Sequence, residues 1–246
     1  MCKRKPYLII LSVITTFVVL FVGGCDGDDK SVNPDPQPLT VTDIDCNVYE
    51  TVTIGTQVWM AENLKVTHYR NGDAIPNVTD NGAWAGLSTG ACCEYDNNIA
   101  NSALYGRLYN WYSVADIRNI APEGWHVASD AEWKQLEMYL GMDQADVDNV
   151  GLRGTDEGGK LKETGTTHWA STNFGATNES GFTALPGGCR DQDSTFGCIG
   201  MTATFWSSTE NISSSAWGRD LGYLDSGTYR YSSFKENGFS VRCMKD

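Results

Sequence analysis

The stretch Gly124–Gly141 constrains the fold more than any other part of the sequence, because it predicts a helix whose two ends are both defined. Ser129 and Glu132 have the spacing of a capping box, in which a hydroxyl and a carboxylate satisfy each other's free backbone N–H groups. Gly141 is typical of the position just after a helix. The predicted helix begins at Ser129 and has an apolar stripe of Trp133, Leu136 and Leu140, with Glu132, Lys134, Gln135 and Glu137 mostly on the other side.

A short half-buried strand is predicted just before this helix, because Trp125 and Val127 alternate with His126 and Ala128. A second helix is predicted over Ala103–Ile117, where apolar residues recur every three or four positions despite Gly106.

The rest of the chain predicts short strands between long loops. The C-terminal strands are expected at 203–207, 216–221, 228–232 and 238–244. In the last of these, Phe239, Val241 and Cys243 share one face, opposite Ser240 and Arg242. Two main helices among short antiparallel strands predict a loop-rich α+β domain over residues 41–246.

The N-terminus has the pattern of an export signal, with a basic start, an apolar run and small residues before Cys25. Residues 1–24 resemble the signal peptide of bacterial lipoproteins, whose cysteine is acylated after cleavage, so Cys25 is the predicted lipidation site. The alternative is an uncleaved anchor helix, because the apolar run is close to the minimum of about 17 residues that spans a bilayer.

Residues 25–40 are rich in aspartate and proline and predict an extended tether. The acidic run after Cys25 resembles the surface-export signal of Bacteroidetes-type lipoproteins. The chain is therefore expected at the outer membrane, held by lipid on the cell surface, with the periplasmic face as the alternative.

The charge of the chain argues against a nucleic acid as partner. The net charge is −13, and removal of residues 1–24 with their three basic side chains leaves 15 Lys and Arg against 31 Asp and Glu, or −16. Such a surface repels phosphate backbones.

Six segments together resemble the successive signatures of the Fibrobacter succinogenes major paralogous domain. They are TVTIGTQVWMAENLK (51–65), YGRLYNWYSV (105–114), EGWHVASDAEWKQL (123–136), GFTALPGG (181–188), FWSSTE (205–210) and GFSVRCMKD (238–246). This resemblance implies a bacterial secreted protein or lipoprotein and carries no biochemical activity with it.

Parts of two of these segments, WHVASDAEW and GFSVR, also resemble two other kinds of domain more distantly. These are formylglycine-generating-enzyme-like (sulfatase-modifying-factor-like) domains and C-type-lectin-like domains. This distant resemblance implies a fold whose first and last strands pair. It implies nothing about function, because one fold serves many functions.

The cysteine count predicts disulfides, because an even number remains in an exported domain once Cys2 and Cys25 are set aside. We expect Cys189 to pair with Cys198, and Cys46 and Cys243 each to take one of Cys92 and Cys93. Members of the resembled family carry a cysteine shortly before the GWHV segment where this chain has Ala121, which leaves the connectivity open.

No catalytic or metal-binding motif is present in the sequence, so we predict a protein that is not an enzyme and needs no cofactor. His68, His126 and His168 are scattered, and His126 is expected to be a half-exposed structural residue. Structural calcium is conceivable at two acidic clusters that lack the EF-hand pattern, which are Asp143, Asp146 and Asp148, and Asp191 and Asp193.

Aromatic side chains among small polar residues supply the candidate binding surface, since flat rings beside hydroxyls and amides suit a carbohydrate. Trp84 and Tyr229 are expected to be the most exposed. The candidate ligand-binding residues are Trp84, Trp169, Trp217, Tyr223, Tyr229 and Tyr231.

The sequence therefore predicts a non-catalytic binding module that a lipid anchor attaches to the membrane. Its expected ligand is a glycan or envelope polymer. A surface protein is a further class of partner. The alternatives are an oxidase related to the formylglycine-generating enzymes, a hydrolase that uses loop residues, and a purely structural envelope protein.

Overall fold

The computed structural model describes residues 39–246. The predicted signal 1–24, the lipidation site Cys25 and nearly all of the tether 25–40 lie outside these residues. The strands are β1 (Thr40–Thr42), β2 (Val48–Ile54), β3 (Gln57–Met60), β4 (Cys92–Cys93), β5 (Leu108–Asn110), β6 (Trp125–Val127), β7 (Gly151–Arg153), β8 (Gly187–Arg190), β9 (Phe196–Ile199), β10 (Thr202–Ile212), β11 (Ser215–Gly222), β12 (Thr228–Phe234), β13 (Gly238–Phe239) and β14 (Cys243–Lys245). The helices are α1 (Asn81–Ala85), α2 (Ile99–Tyr105), α3 (Trp111–Val114), α4 (Asp130–Tyr139) and α5 (Glu157–Leu161), with a 3-10 turn at Tyr95–Asn97.

The strands form two sheets, and the mixed, strand-rich architecture confirms the α+β class. The smaller sheet has the order β1-β2-β3-β14-β6, and the larger has the order β4-β5-β13-β8-β10-β11-β12-β7, with β9 beside β8. The strand pairs are antiparallel except β8 with β10. The last strand, β14, lies between β3 and β6 and not beside β1, so the implied pairing of the first and last strands is wrong in detail.

The predicted capped helix is confirmed as α4. Its N-cap is Ser129, and both hydrogen bonds of the capping box with Glu132 are present. The strand before it, β6, has the predicted pattern of two buried residues around a half-buried His126. Trp133, Leu136 and Leu140 pack into one buried cluster with residues of the larger sheet.

Glu137 departs from the prediction, because it is fully buried and not on the solvent side of α4. Position 137 is four residues after Trp133 and three before Leu140, so it lies within the same inward stripe.

The second predicted helix, Ala103–Ile117, is wrong. The segment instead holds the end of α2, strand β5 and the short helix α3. The chain turns at Gly106, where φ is +78° and a Cβ atom would lie 2.6 Å from Asn63 Cβ. The close approach of another segment therefore ends α2 where the apolar spacing alone predicted that the helix continues.

The last predicted strand is interrupted, but its facing is confirmed. Phe239, Val241 and Cys243 lie in one buried cluster with residues of both sheets. On the other side, Ser240 and Arg242 are also buried, each 1% exposed.

Most of the tryptophans serve the core. The seven at positions 59, 84, 111, 125, 133, 169 and 206 are buried, and Trp217 is half-buried. Around α4, the rings of Trp59 and Trp133 lie 5.0 Å apart, and those of Trp133 and Phe205 lie 5.5 Å apart.

The predicted disulfides are not formed among the cysteines that the structure describes as free, which are Cys92, Cys93, Cys189, Cys198 and Cys243. Cys92 and Cys93 are consecutive on β4 and enter different buried clusters, and Cys243 lies in the cluster of Cys92. Across the β8–β9 pair, Cys189 lies opposite Gly197, which places Cys198 one residue out of register. With Cys92 and Cys93 both free, the predicted partner of Cys46 is also wrong.

Candidate functional site

The candidate site lies on one face of the three strands β10, β11 and β12. Residues directly opposite in an antiparallel sheet share a face, as do alternate residues along one strand. Thr204 lies opposite Asp220, and Asp220 lies opposite Tyr229. The same register adds Thr202, Tyr231 and Ser233 to this face.

The other face of these strands is covered by α4, which is why the site is confined to one side. Arg219 and Arg230 point to that covered face and bind Asp130 of α4, each with a nitrogen–oxygen distance of 2.8 Å. Arg219 also contacts Glu137 at 2.9 Å, as does Arg153 at 2.7 Å. This buried ion network fixes the sheet on the helix. The opposite face, which we call the free face because α4 does not cover it, is open only in part, since Trp206 on that face is buried in another core cluster.

Two cavities on the free face adjoin each other, since both are lined by Thr202 and Asp220. We call them together the tyrosine groove. The first cavity, of about 280 Å³, is also lined by Met201, Gly222, Tyr223, Leu224, Asp225 and Tyr229. The second, of about 220 Å³, is also lined by Cys189, Asp191, Cys198, Thr204, Tyr231, Ser233, Asn237 and Phe239.

Asp220 is the central acidic group of the tyrosine groove. Its Oδ1 accepts a hydrogen bond of 2.7 Å from the Tyr231 hydroxyl. Burial raises the pKa of Asp220 to about 6, assisted by the charge of Asp191, although the Tyr231 and Thr204 hydroxyls act in the opposite direction. Asp220 is thus a carboxyl group whose charge changes just below neutral pH.

Two further carboxyl groups line the groove. Burial raises the pKa of Asp191, and so does the charge of Asp193. Burial also raises the pKa of Asp225, against the effect of Lys162. The charges of the groove are therefore all negative at neutral pH, because its lining residues include no Lys, Arg or His.

Cys189, one of the two cysteines that line the groove, is poorly suited to redox catalysis. Burial raises the pKa of Cys189, and Asp191 raises it further. Since the thiolate is the reactive form, Cys189 is protonated and unreactive at neutral pH.

The wall of the first cavity is held from behind by Lys162. Its ammonium group donates to the backbone oxygens of Phe174, Gly222 and Asp225, at 2.9, 2.8 and 2.7 Å. The ammonium lies 5.5 Å from the ring centre of the buried Trp169. Lys162 therefore fixes the loop that follows β11, which carries Tyr223 and Asp225.

The structure brings together three of the six predicted binding residues, because Tyr223, Tyr229 and Tyr231 all line the groove. The tryptophans do not join them. Trp84, expected to be exposed, is 0% exposed and stacks against Arg190, whose guanidinium lies 4.5 Å from its ring. Trp169 is buried, and Trp217 lies on the covered face with the Arg230 guanidinium 3.5 Å from its ring.

The sequence interpretation missed Asp220 and Asp225, which complete the groove. The only local signal was alternation: the half-buried Asp220 and Gly222 alternate with the buried Arg219 and Leu221. This alternation could not identify a site, because the sequence does not show which face of β11 is covered by helix α4.

Other candidate sites are less suited to binding. A cavity of about 450 Å³ is larger, but the two charged residues that line it, Asp116 and Arg118, already pair at 2.7 Å. Within residues 39–246, no group of three or more His, Cys, Asp or Glu residues is arranged to hold a metal ion. His126 bridges Glu132 and Asp246, at 2.9 and 2.7 Å, and is half-exposed as predicted.

The fold and the groove together define a strand-rich α+β domain with an acidic, tyrosine-lined groove on the free face of its larger sheet. The chain belongs to the family described as the Fibrobacter succinogenes major domain, whose family model matches residues 52–245. The predicted family is thereby confirmed. Searches among curated proteins and among solved structures gave no match.

Proposed function

We propose that this protein is a non-catalytic binding module and that the tyrosine groove recognises a glycan or envelope polymer. One observation carries the proposal: Tyr229, Tyr231 and Asp220 lie on the face of β10–β12 that α4 does not cover, and Tyr223 lines the first cavity from the loop after β11. Aromatic rings provide flat apolar area for a sugar ring, and the carboxylate and threonine hydroxyls provide hydrogen bonds that fix its orientation.

The size of the groove supports this ligand class. Two adjoining cavities of about 280 and 220 Å³ have room for neighbouring units of a chain ligand. Tyr229 and Tyr231 on β12, together with Tyr223 just after β11, give such a chain several successive contacts.

The proposal is tested by glycan-array screening followed by calorimetric titration of the glycans that bind. Tyr229→Ala should weaken binding about fivefold, because a ring contact of this kind contributes on the order of 1 kcal/mol. The matched control is Tyr139→Ala, which removes a tyrosine that is 64% exposed on α4 and lines neither cavity. Unchanged affinity in Tyr229→Ala, or equal losses in both variants, would contradict the groove as the binding site.

The C-type-lectin-like character of the fold is part of this proposal. The N-terminal strands and the last strand share one sheet, and a capped helix follows the strand β6 beside them. These features support a C-type-lectin-like fold, and superposition of an experimental structure on C-type-lectin domains would test it.

We also propose that the domain is an exported lipoprotein, acylated at Cys25 and displayed on the outer membrane by the tether 25–40. The support is the signal-like sequence of residues 1–24 and the acidic run that follows. Among residues 39–246, no helix is sufficiently long and apolar to cross a membrane. Protease treatment of intact cells should remove a surface-displayed domain, and a domain that survives it would indicate the periplasmic face.

A hydrolase is the second candidate, favoured by the two carboxyl groups Asp191 and Asp220 in one cavity. The raised pKa of Asp220, about 6, is of the kind that a general acid needs near neutral pH. Turnover of a glycoside that is lost in Asp220→Asn would establish this function in place of simple binding.

A further inference from the structure

The charges in the tyrosine groove are unbalanced. Asp225 lines the first cavity, Asp191 lines the second and Asp220 lines both, whereas no basic side chain lines either. Carboxylates held close together repel one another. The pKa of Asp220 is raised chiefly by burial and further by the charge of Asp191. A cation placed among them would be bound favourably.

Asp225 gives a second, independent indication. Its Oδ1 is buried without any hydrogen-bond partner among the described residues. An unsatisfied buried acceptor is costly, by about 1–3 kcal/mol, unless a donor is supplied.

Lys162 does not supply this donor, although it is the nearby basic residue. It is 0% exposed, and its ammonium group donates to three backbone oxygens, including that of Asp225 itself. An ammonium has three N–H donors, so all of them are already used. An ammonium group of a ligand in the first cavity would supply a donor to the Asp225 carboxylate.

The remaining walls of the first cavity suit an ammonium group. Tyr223 and Tyr229 line it together with Asp220 and Asp225. Aromatic faces attract cations, with a contribution of about 0.5–2 kcal/mol. A metal ion fits less well, because no group of three metal-binding side chains exists among residues 39–246.

We propose that the tyrosine groove selects glycans that carry free amino groups, with the ligand ammonium bound between Asp220 and Asp225. This inference rests on the proposed glycan-binding function and specifies its ligand class: a polymer of amino sugars whose nitrogen is not acetylated. Acetylation removes both the charge and the extra donors of the amine, so the two forms of one sugar differ only at the group in question.

The test compares two oligosaccharides of equal length and linkage, a glucosamine tetramer and its fully N-acetylated form. Calorimetric titration near neutral pH and moderate salt should show about tenfold tighter binding of the free amine, since a charge-assisted hydrogen bond contributes about 1.5–3 kcal/mol. This preference should shrink as the salt concentration rises, because salt screens the ionic contact.

Variants assign the preference to its residues. Asp225→Asn and Asp220→Asn should each reduce the ratio of the two affinities about tenfold. The control is Asp143→Asn, which removes the same charge from an exposed aspartate that lines neither cavity. If all three variants lowered the ratio equally, the preference would come from the general acidity of the protein and the inference would be wrong.

The outcomes separate this inference from the proposed function. Equal affinity for both tetramers would overturn the selection of amines and leave glycan binding in place. An array on which no glycan binds would overturn both. Binding of the free amine alone, with the preference lost in Asp225→Asn, would support both.

Discussion

Arg242 is a buried cation that no carboxylate among residues 39–246 contacts, and hydrogen bonds take the place of an ion pair. It is 1% exposed, and its guanidinium donates to the side chain of Asn63 and to the backbone oxygens of Met60, Phe182 and Thr183. Burial lowers its pKa to about 9. These bonds join three of the signature segments, so the arginine of GFSVR is a structural residue.

Two tryptophans of the signature segments also donate side-chain hydrogen bonds to backbone oxygens of other signature segments. The Trp111 indole donates to the Ser207 backbone oxygen, and the Trp206 indole donates to that of Tyr109, each at 2.9 Å. The signatures by which the family is identified therefore hold the core together, whereas Tyr223 and Tyr229 of the tyrosine groove lie outside them.

Asp220 should make the free energy of unfolding depend on pH. Its folded pKa, about 6, is above the ordinary value of 3.8, so the folded state holds the proton more firmly than the unfolded chain. The sign follows: stability is highest below about pH 4, falls as the pH rises to about 6, and then levels off.

Asp220→Asn should therefore be more stable than the parent at neutral pH, by about 1–3 kcal/mol at 1.36 kcal/mol per pKa unit. Tyr231 keeps an acceptor, because the amide oxygen of asparagine replaces the carboxylate. Urea denaturation between about pH 4 and 7 measures the difference, which should vanish at the acidic end. A difference that does not change with pH, or one equal to that of Asp143→Asn, would show that Asp220 titrates normally.

Helix α4 organises the larger sheet through charge as well as apolar packing. Burial would raise the pKa of Asp130, but the guanidinium groups of Arg230 and Arg219 hold it well below its usual range. Glu137 accepts from Arg153 and Arg219. Helix α4 and the strands β7, β11 and β12 are thus joined by a buried ion network, and this network determines which face of the sheet is left for the groove.

Removing one charge from this network should be costly. Glu137→Gln leaves the buried Arg153 guanidinium without a carboxylate and Arg219 with Asp130 alone, so the free energy of unfolding should fall by about 3–5 kcal/mol. Chemical denaturation measures this change. Glu179→Gln, at an exposed carboxylate, is the matched control and should stay within about 0.5 kcal/mol of the parent.

A decrease in the free energy of unfolding of less than about 1 kcal/mol in Glu137→Gln would contradict the buried network, because exposed ion pairs contribute about that much or less.

At the scale of the whole molecule, the C-terminal segment joins the two sheets. Strand β13 lies between β5 and β8 of the larger sheet, and β14 lies between β3 and β6 of the smaller one. Between them, Val241 is 0% exposed in the cluster that both sheets share. The C-terminal segment thereby holds the two sheets together without the predicted disulfides.

The state of the cysteines tests this arrangement. Alkylation of the native protein, read by mass spectrometry, should label the exposed Cys198 first and leave Cys92, Cys93 and Cys243 unlabelled, because all three are 0% exposed. Denaturation without reductant should then expose all of them to the reagent. Thiols that react only after reduction would show that the disulfides predicted from the sequence do form.

Local sequence determined the elements whose causes are local. The capping box at Ser129, the stripe of Trp133, Leu136 and Leu140, and the alternation through Phe239, Val241 and Cys243 are confirmed because neighbouring residues suffice to specify them. The six signature segments were likewise sufficient to identify the family from the sequence.

Tertiary structure alone decided the rest. Gly106 ends a helix because Asn63 approaches it from elsewhere in the chain, and Trp84 is buried because Gly238 and Arg190 close over it. Asp220 became part of a site only when α4 covered the opposite face of β11. Burial and facing depend on partners distant in the chain, and no local pattern of residue types records which partners those are.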